Sequence, residues 1–132
     1  ANAFDECSLL EEVVFSKALA TIEENAFSGC SSLTAIDLSI CKNLRAIESG
    51  AFLCCSSLKT VYLPKGLQEI GAAAFWLCEN LSEITIPKSV NAIGQGAFSD
   101  CNLKTVRISR KFEHQIEDIF GKLDPEAIQF VD

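Results

Sequence analysis

The chain of 132 residues contains no methionine, and tryptophan, tyrosine and histidine occur only once each. With His114 as the single histidine and no pair of cysteines in a C-x-x-C spacing, we expect no metal site, because protein zinc sites are built from such ligands. The sequence also lacks any apolar run near the roughly 20 residues that a membrane-spanning helix needs. We therefore expect no membrane insertion by this segment.

Basic residues are in the minority, with 11 Lys and Arg against 18 Asp and Glu and a net charge of −7. Binding to a phosphate backbone requires clustered Lys and Arg side chains. The charge balance therefore argues against nucleic acid as a partner. The N-terminus shows no basic segment followed by an apolar one, so no secretory signal is visible there.

What the sequence does contain is an internal repeat. The stretch from Ala74 to Gly96, AFWLCENLSEITIPKSVNAIGQG, reappears with the same apolar skeleton when it is shifted by 23 residues in either direction. About five turns of 23–25 residues begin near residues 3, 26, 51, 74 and 97. Because the chain begins inside a repeat, we expect it to be a piece of a longer protein.

Each turn carries the pattern L-x-x-V-x-[LI], which predicts a short strand. In the third turn, alternation places Val61 and Leu63 inside and Thr60 and Tyr62 outside. Stacking of the turns is expected to join these strands into one parallel sheet. The second apolar pair of each turn, spaced by three residues, predicts an irregular or short extended segment. The A-F-x-x-C piece predicts a single α or 3₁₀ turn.

The cysteines follow the repeat rather than a disulfide pattern. Five of the seven stand three residues after the repeat phenylalanine, and they are Cys7, Cys30, Cys55, Cys78 and Cys101. Such a recurring position predicts an inward column of small apolar side chains, whose parallel Cβ vectors suit a disulfide poorly. Cys41 and Cys54 lie off this column, and they are the only candidates for reactive thiols.

The end of the chain departs from the repeat, and we divide the chain into repeats over residues 1–112 and a C-terminal cap over residues 113–132. Apolar residues between Lys111 and Phe120 fall on one helical face, and AIQFV at 127–131 predicts a last strand. His114 is expected on the surface of the cap helix. The N-terminus shows no comparable cover, so Phe4 and Cys7 are expected at an open or frayed end.

The consensus A-F-x-x-C-x-x-L-x-x-[VI]-x-[IL]-P-x-x-[VL]-x-x-I-G resembles the BspA-like (Treponema pallidum-type) leucine-rich repeats. The resemblance implies an α/β repeat solenoid, a right-handed leucine-rich-repeat superhelix with a parallel β-sheet on its concave face. Members of this family are often surface proteins of bacteria and some protozoa that bind host proteins or other cells. The second turn departs from the pattern by two extra residues between Leu38 and Leu44, which predict a small bulge where the strand ends.

Outward strand positions are the candidates for binding, because the apolar spine leaves them free to vary. They form two rows across the expected sheet, and the candidate partner-binding residues are Glu12, Val14, Asp37, Thr60, Tyr62, Glu83, Thr85, Thr105 and Arg107. Tyr62 lies on the central strand and suits an interface anchor, although it could equally just cover the sheet. Trp76 is expected to point outward, either as a contact residue or packed against Leu53 of the preceding turn.

No arrangement of nucleophile, base and acid stands out, and the carboxylate pairs have the character of solvated edges, so we expect neither an enzyme nor a cofactor. The leading hypothesis is a non-enzymatic, adhesin-like module that binds a protein or cell-surface ligand through the concave sheet and lies outside the cell or on its surface. One alternative is a structural spacer that presents another domain. The other is an intracellular leucine-rich-repeat scaffold.

Overall fold

A computed structural model of the chain describes residues 7–132, so the prediction for Phe4 lies outside the described residues. The chain winds as a parallel-strand β-solenoid of about five turns. Its strands are, in order, β1 Thr21–Ile22, β2 Ala35–Asp37, β3 Ala46–Ile47, β4 Thr60–Tyr62, β5 Glu69–Ile70, β6 Glu83–Thr85, β7 Ala92–Ile93, β8 Thr105–Ser109 and β9 Ile128–Val131. None of the helices in the described part is long and apolar enough to cross a membrane.

The longer strands lie where the L-x-x-V-x-[LI] pattern predicts them, and they pair in parallel. β2 pairs with β4, and β6, β8 and β9 form a three-stranded sheet. The prediction of one continuous sheet is wrong, because β4 and β6 are not hydrogen-bonded to each other. Pro64 after β4 does not explain the interruption, since Pro87 follows β6 in the same way and β6 still pairs with β8.

The second apolar pair of each turn forms a strand of two residues. These strands, β1, β3, β5 and β7, pair in parallel as a second sheet of four. Adjacent turns of the solenoid approach each other closely just after this second sheet. A Cβ added at Gly71 would lie 2.4 Å from the backbone nitrogen of Ser49, and one at Gly94 would lie 2.3 Å from that of Ala72. Only glycine fits such an approach without a shift of the backbone.

The A-F-x-x-C corner is not helical, and that prediction is wrong. Its backbone N–H groups alternate between bonds within a turn and bonds to the next turn. The N–H groups of Ala51 and Leu53 donate to the carbonyls of Glu48 and Gly50, whereas that of Phe52 donates to the carbonyl of Ala74 in the next turn at 2.7 Å. The alternation depends on two positions in each turn whose φ lies between +55° and +74°. The first position, just before the corner, is occupied by Asn25, Gly50, Ala73 and Gly96. The second, four residues later, is occupied by Gly29, Cys54, Leu77 and Asp100. The corner is therefore a third ladder of hydrogen bonds between turns.

The core is a set of columns, one side chain per turn. Phe27, Phe52, Phe75 and Phe98 stack with ring centroids 5.0–5.3 Å apart. Cys30, Cys55 and Cys78 are buried beside them, whereas Cys7 and Cys101 are half-buried, and all are free thiols. The predicted inward cysteine column is thus confirmed for its three central members, with its ends partly open to solvent.

The tail follows the same path as the turns before it. It contains a 3₁₀ helix at Arg110–Phe112, the helix α1 at Ile116–Phe120, a second 3₁₀ helix at Pro125–Ala127, and then β9. Phe120 continues the ring stack, 5.6 Å from Phe98. The backbone carbonyls of Asp118 and Ile119 accept the N–H groups of Gly96 and Phe98. Hydrogen bonds therefore run across residue 112, and a domain boundary there stays a prediction.

The two extra residues of the second turn form successive tight turns and not a bulge in the strand. The N–H of Cys41 donates to Leu38, and that of Leu44 donates to Cys41. Cys41 is fully buried by this path, and its thiol donates to the carbonyl of Ser16 at 3.4 Å. The insertion thus returns the chain to the core at Leu44.

Candidate functional site

The outward side chains of the longer strands stand in register across the turns. Ala35 lies beside Thr60 and Asp37 beside Tyr62. Glu83 lies beside Thr105 and Thr85 beside Arg107. Alternation buries the residue between each pair of outward positions, so Ile36, Val61, Ile84 and Val106 face the core. We call the outward side chains of β2, β4, β6, β8 and β9 the strand face.

Two predicted site residues are not brought into this arrangement. Glu12 and Val14 lie in a part of the first turn that forms no strand, and Val14 is 86% exposed. They have no strand pairing to hold them in the rows. The row is also interrupted between Tyr62 and Thr85, because β4 and β6 are not paired.

Asp37 is a carboxylate held in one position. Its Oδ1 accepts the backbone N–H of Ser39 at 2.9 Å and the Ser39 hydroxyl at 2.6 Å. These two hydrogen bonds hold the pKa of Asp37 below its ordinary value, because they favour the charged form. The strand face therefore carries a fixed negative charge at β2.

Tyr62 is the large side chain of the strand face, and it is 58% exposed. Of the other strand-face residues, Thr60 and Thr105 are half-buried, whereas Glu83, Thr85 and Arg107 are exposed. A half-exposed tyrosine offers an apolar ring and a hydroxyl with few rotatable bonds, which suits a protein contact.

Gln129 belongs to the strand face and was missed by sequence reasoning. β9 pairs with β8 so that Gln129 stands beside Arg107, and its Oε1 accepts the Arg107 Nε–H at 3.1 Å. The signal for it is weak: IQFV at 128–131 matches VRIS at 106–109 only in its apolar alternation. The amide fixes the guanidinium at the end of the row opposite Asp37.

The family model described as BspA type leucine rich repeat region matches residues 1–124 in 6 copies. The chain belongs to this family. The match runs past residue 112 to residue 124, and within that stretch Phe120 continues the ring stack.

Two solved structures of leucine-rich repeat proteins resemble the BspA-type chain. The protein from T. pallidum is 39% identical with a TM-score of 0.77, over 80% of this chain and 49% of that one. The protein from Bacteroides ovatus ATCC 8483 is 23% identical with a TM-score of 0.50, over 96% of this chain and 49% of that one, and it shows the fold alone. The chain spans about half the length of both. No curated protein matches it.

The two cysteines off the column differ in their surroundings. Cys41 is fully buried, and burial together with the charge of Asp37 raises its pKa. Both effects argue against a reactive thiol at Cys41, since the thiolate is the reactive form. Cys54 is half-buried, so of the two only Cys54 stays a candidate.

Trp76 and His114 lie at the surface of the BspA-type solenoid, away from the strand face. Trp76 is 40% exposed, and its indole N–H donates to Oδ2 of Asp100 on the following turn at 2.8 Å. Its contact with Leu53 stays a prediction. The side chain of His114 is 91% exposed, 3.6 Å from a carboxylate oxygen of Glu113, as expected for a surface residue. It lies before helix α1, so its predicted place on the cap helix is wrong. In the described part of the chain, no three metal-binding side chains come together.

Proposed function

We propose that this BspA-type chain is a non-enzymatic, adhesin-like module that binds a protein partner through its strand face, as part of a cell-surface protein. Leucine-rich repeats generally serve as protein-interaction scaffolds, in which function belongs to side chains placed on a regular framework. The observation that supports the proposal most is the register of Asp37 with Tyr62 and of Thr85 with Arg107 and Gln129.

This row has the composition of a recognition surface. It presents an exposed aromatic ring between a carboxylate and a guanidinium, and hydrogen bonds within the chain hold both charged groups in place. Side chains that are ordered before binding lose less entropy when a partner arrives. Tyrosine and arginine are also the residue types that most often contribute the binding energy of protein interfaces.

The full-length protein is first used as bait to capture partners from intact host or neighbouring cells. The affinity of the captured partner is then measured. Tyr62→Ala and Arg107→Ala are the test variants. Glu69→Ala is the matched control, because Glu69 is exposed on the second sheet. We expect Tyr62→Ala to weaken binding by about 10-fold or more, as for an interface anchor, and Glu69→Ala to change it less than twofold.

Two outcomes would argue for the spacer instead. The first is that no protein is captured more strongly by this chain than by a chain in which Tyr62 and Arg107 are both replaced by alanine. The second is that a partner is found whose affinity none of the strand-face variants alters. Surface labelling of intact cells by an antibody to this chain tests the proposed location separately.

A further inference from the structure

A groove lies at the corner where the fourth turn meets the fifth turn and helix α1, and it shares no lining residue with the strand face. Its volume is about 830 Å³, and small residues, Ala72, Ala73 and Gly96, lie along it. One side carries Trp76 with Asp100, and helix α1 contributes Glu117 and Asp118. We call this feature the Trp76 groove.

The core does not require a tryptophan at this position. The residue after the repeat phenylalanine is Asp5, Ser28, Leu53 or Ser99 in the other turns, while Phe27, Phe52, Phe75 and Phe98 themselves are buried. Trp76 is therefore an addition to the surface of one turn. Its N–H is already bonded to Asp100, so the group left for a ligand is the face of the indole ring.

The charge of the groove is one-sided. Its ionisable side chains are Asp100, Glu117, Asp118 and His114, with no lysine or arginine. In the described part of the chain the ion pairs involve Arg110 and His114 with Glu113 and Asp132, so the carboxylates of the groove have no cationic partner among residues 7–132. A cation placed here would therefore gain attraction without breaking an existing pair.

We propose that the Trp76 groove is a second binding site, which accepts an arginine side chain from a basic segment of a protein partner. A guanidinium is the cation that fits this combination, because its plane stacks on an indole face while its N–H groups donate to carboxylates at its edge. This site is independent of the strand face.

The experiment uses the single tryptophan of the chain as the reporter. The peptide Gly-Arg-Gly-Arg-Gly is titrated into the folded protein while Trp76 emission is recorded, and the same peptide with citrulline at both positions is the matched probe, since citrulline keeps the shape and removes the charge. We expect a saturable change with the arginine peptide and at least about 10-fold weaker binding of the citrulline peptide, as for loss of a charge-assisted contact.

Variants separate the groove from general attraction to an acidic protein. The pair Glu117→Gln and Asp118→Asn keeps the reporter and should weaken binding several-fold. Trp76→Leu reproduces the residue that the third turn carries as Leu53, and with calorimetry as the readout it should weaken binding about 3–10-fold through loss of the cation–π contact. Glu69→Gln removes an exposed carboxylate outside the groove and should leave binding of the arginine peptide unchanged. Thermal unfolding of each variant confirms that it folds.

The proposal is overturned if the citrulline peptide binds as well as the arginine peptide, or if the carboxylate variants bind it unchanged. It is also overturned if spermidine or Ca²⁺ gives the same saturable change at the same concentration, because that would show simple counter-ion attraction. None of these results bears on the strand face, which is tested by Tyr62→Ala.

Discussion

Cys55 shows how the stack of turns determines the chemistry of a single residue. It is fully buried, its thiol donates to the carbonyl of Phe27 at 3.2 Å, and burial, with the nearby Cys30, raises its pKa to about 12. The pKa of Cys78 is also raised, by its hydrogen bond with the neighbouring Cys101 and by burial. Cys55 and Cys78 are therefore uncharged packing groups throughout the physiological pH range.

The raised pKa of Cys55 predicts alkaline destabilisation. An unfolded thiol ionises with a pKa near 8.5, whereas the folded one stays protonated up to about 12, so unfolding releases a proton between these values. The free energy of unfolding must then fall as pH rises through this window, by about 2 kcal/mol between pH 7 and pH 10 from this residue alone. Urea unfolding at both pH values measures it.

Cys55→Ser removes this contribution, because serine does not ionise in that range, and its unfolding free energy should depend less on pH by that amount. Ser56→Ala, one position along, is the control and should keep the full dependence. Equal pH dependence in Cys55→Ser and in the unaltered chain would contradict the assignment.

Single residues also show which features could be predicted from the sequence and which could not. The inward place of Cys30, Cys55 and Cys78 could be predicted because a position that repeats in every turn must serve contacts between turns. The non-helical corner could not, because Ala73 and Leu77 adopt φ of +55° and +64° without being glycine. Nothing in their side chains indicates that conformation.

Among the elements, the longer strands were predictable and the two-residue strands were not predicted as a sheet. Alternation in Thr60–Tyr62 gives a strand signal of period two, whereas Leu67 and Ile70 are spaced by three and give none. Their sheet of β1, β3, β5 and β7 forms because identical corners stack, which is a contact between turns. Gln129 was missed for the same reason: its place depends on the pairing of β9 with β8.

The interruption between β4 and β6 predicts a local weakness in the strand face. The N–H groups of Lys59 and Lys104, at equivalent positions in the third and fifth turns, donate to Thr34 and Ser82 of the turns before them. The equivalent N–H of Ser82 has no such bond in the described structure. We expect the amides of Ser82 and Glu83 to exchange with solvent at least about 10-fold faster than those of Lys59 and Lys104, because an unbonded amide needs no opening step.

Residue-resolved hydrogen exchange measures this directly, and the amides of Gln68 and Asn91, which immediately precede β5 and β7, are the internal control. Both are bonded, to Arg45 and Gln68 respectively, and should be protected. Equal protection of Ser82 and Lys104 would mean that β4 and β6 pair in solution. A partner that bridges the two parts of the strand face should also slow exchange at Ser82 and Glu83.

For the whole molecule, each turn contacts chiefly its neighbours, so stability is close to a sum of contacts between adjacent turns. Three ladders join the turns: the strand face, the second sheet and the A-F corner. Between the third and fourth turns only the last two are continuous, through the pairing of β5 with β7 and the bond from Phe52 to Ala74. The phenylalanine stack, from Phe27 to Phe120, is one of the apolar columns that continue across this interruption.

This arrangement predicts that one core substitution divides the chain into two folding units. The ring of Phe52 is 5.3 Å from that of Phe27 and 5.2 Å from that of Phe75, so Phe52→Ala removes both contacts and leaves a cavity, at a cost of about 3–5 kcal/mol. In a stack of nearest-neighbour contacts, that loss uncouples the first two turns from the rest. Trp76 reports on the fourth turn only, whereas far-ultraviolet circular dichroism reports on all turns.

In the unaltered chain we expect both signals to give the same urea midpoint, because two continuous ladders and the ring stack couple the turns. In Phe52→Ala the circular dichroism transition should begin at lower urea than the change in Trp76 emission, since the N-terminal turns unfold first. Tyr62→Ala, whose side chain is exposed on the same turn, is the control and should keep the midpoints together. Coincident midpoints in Phe52→Ala would show instead that the backbone ladders alone make the solenoid unfold as one unit.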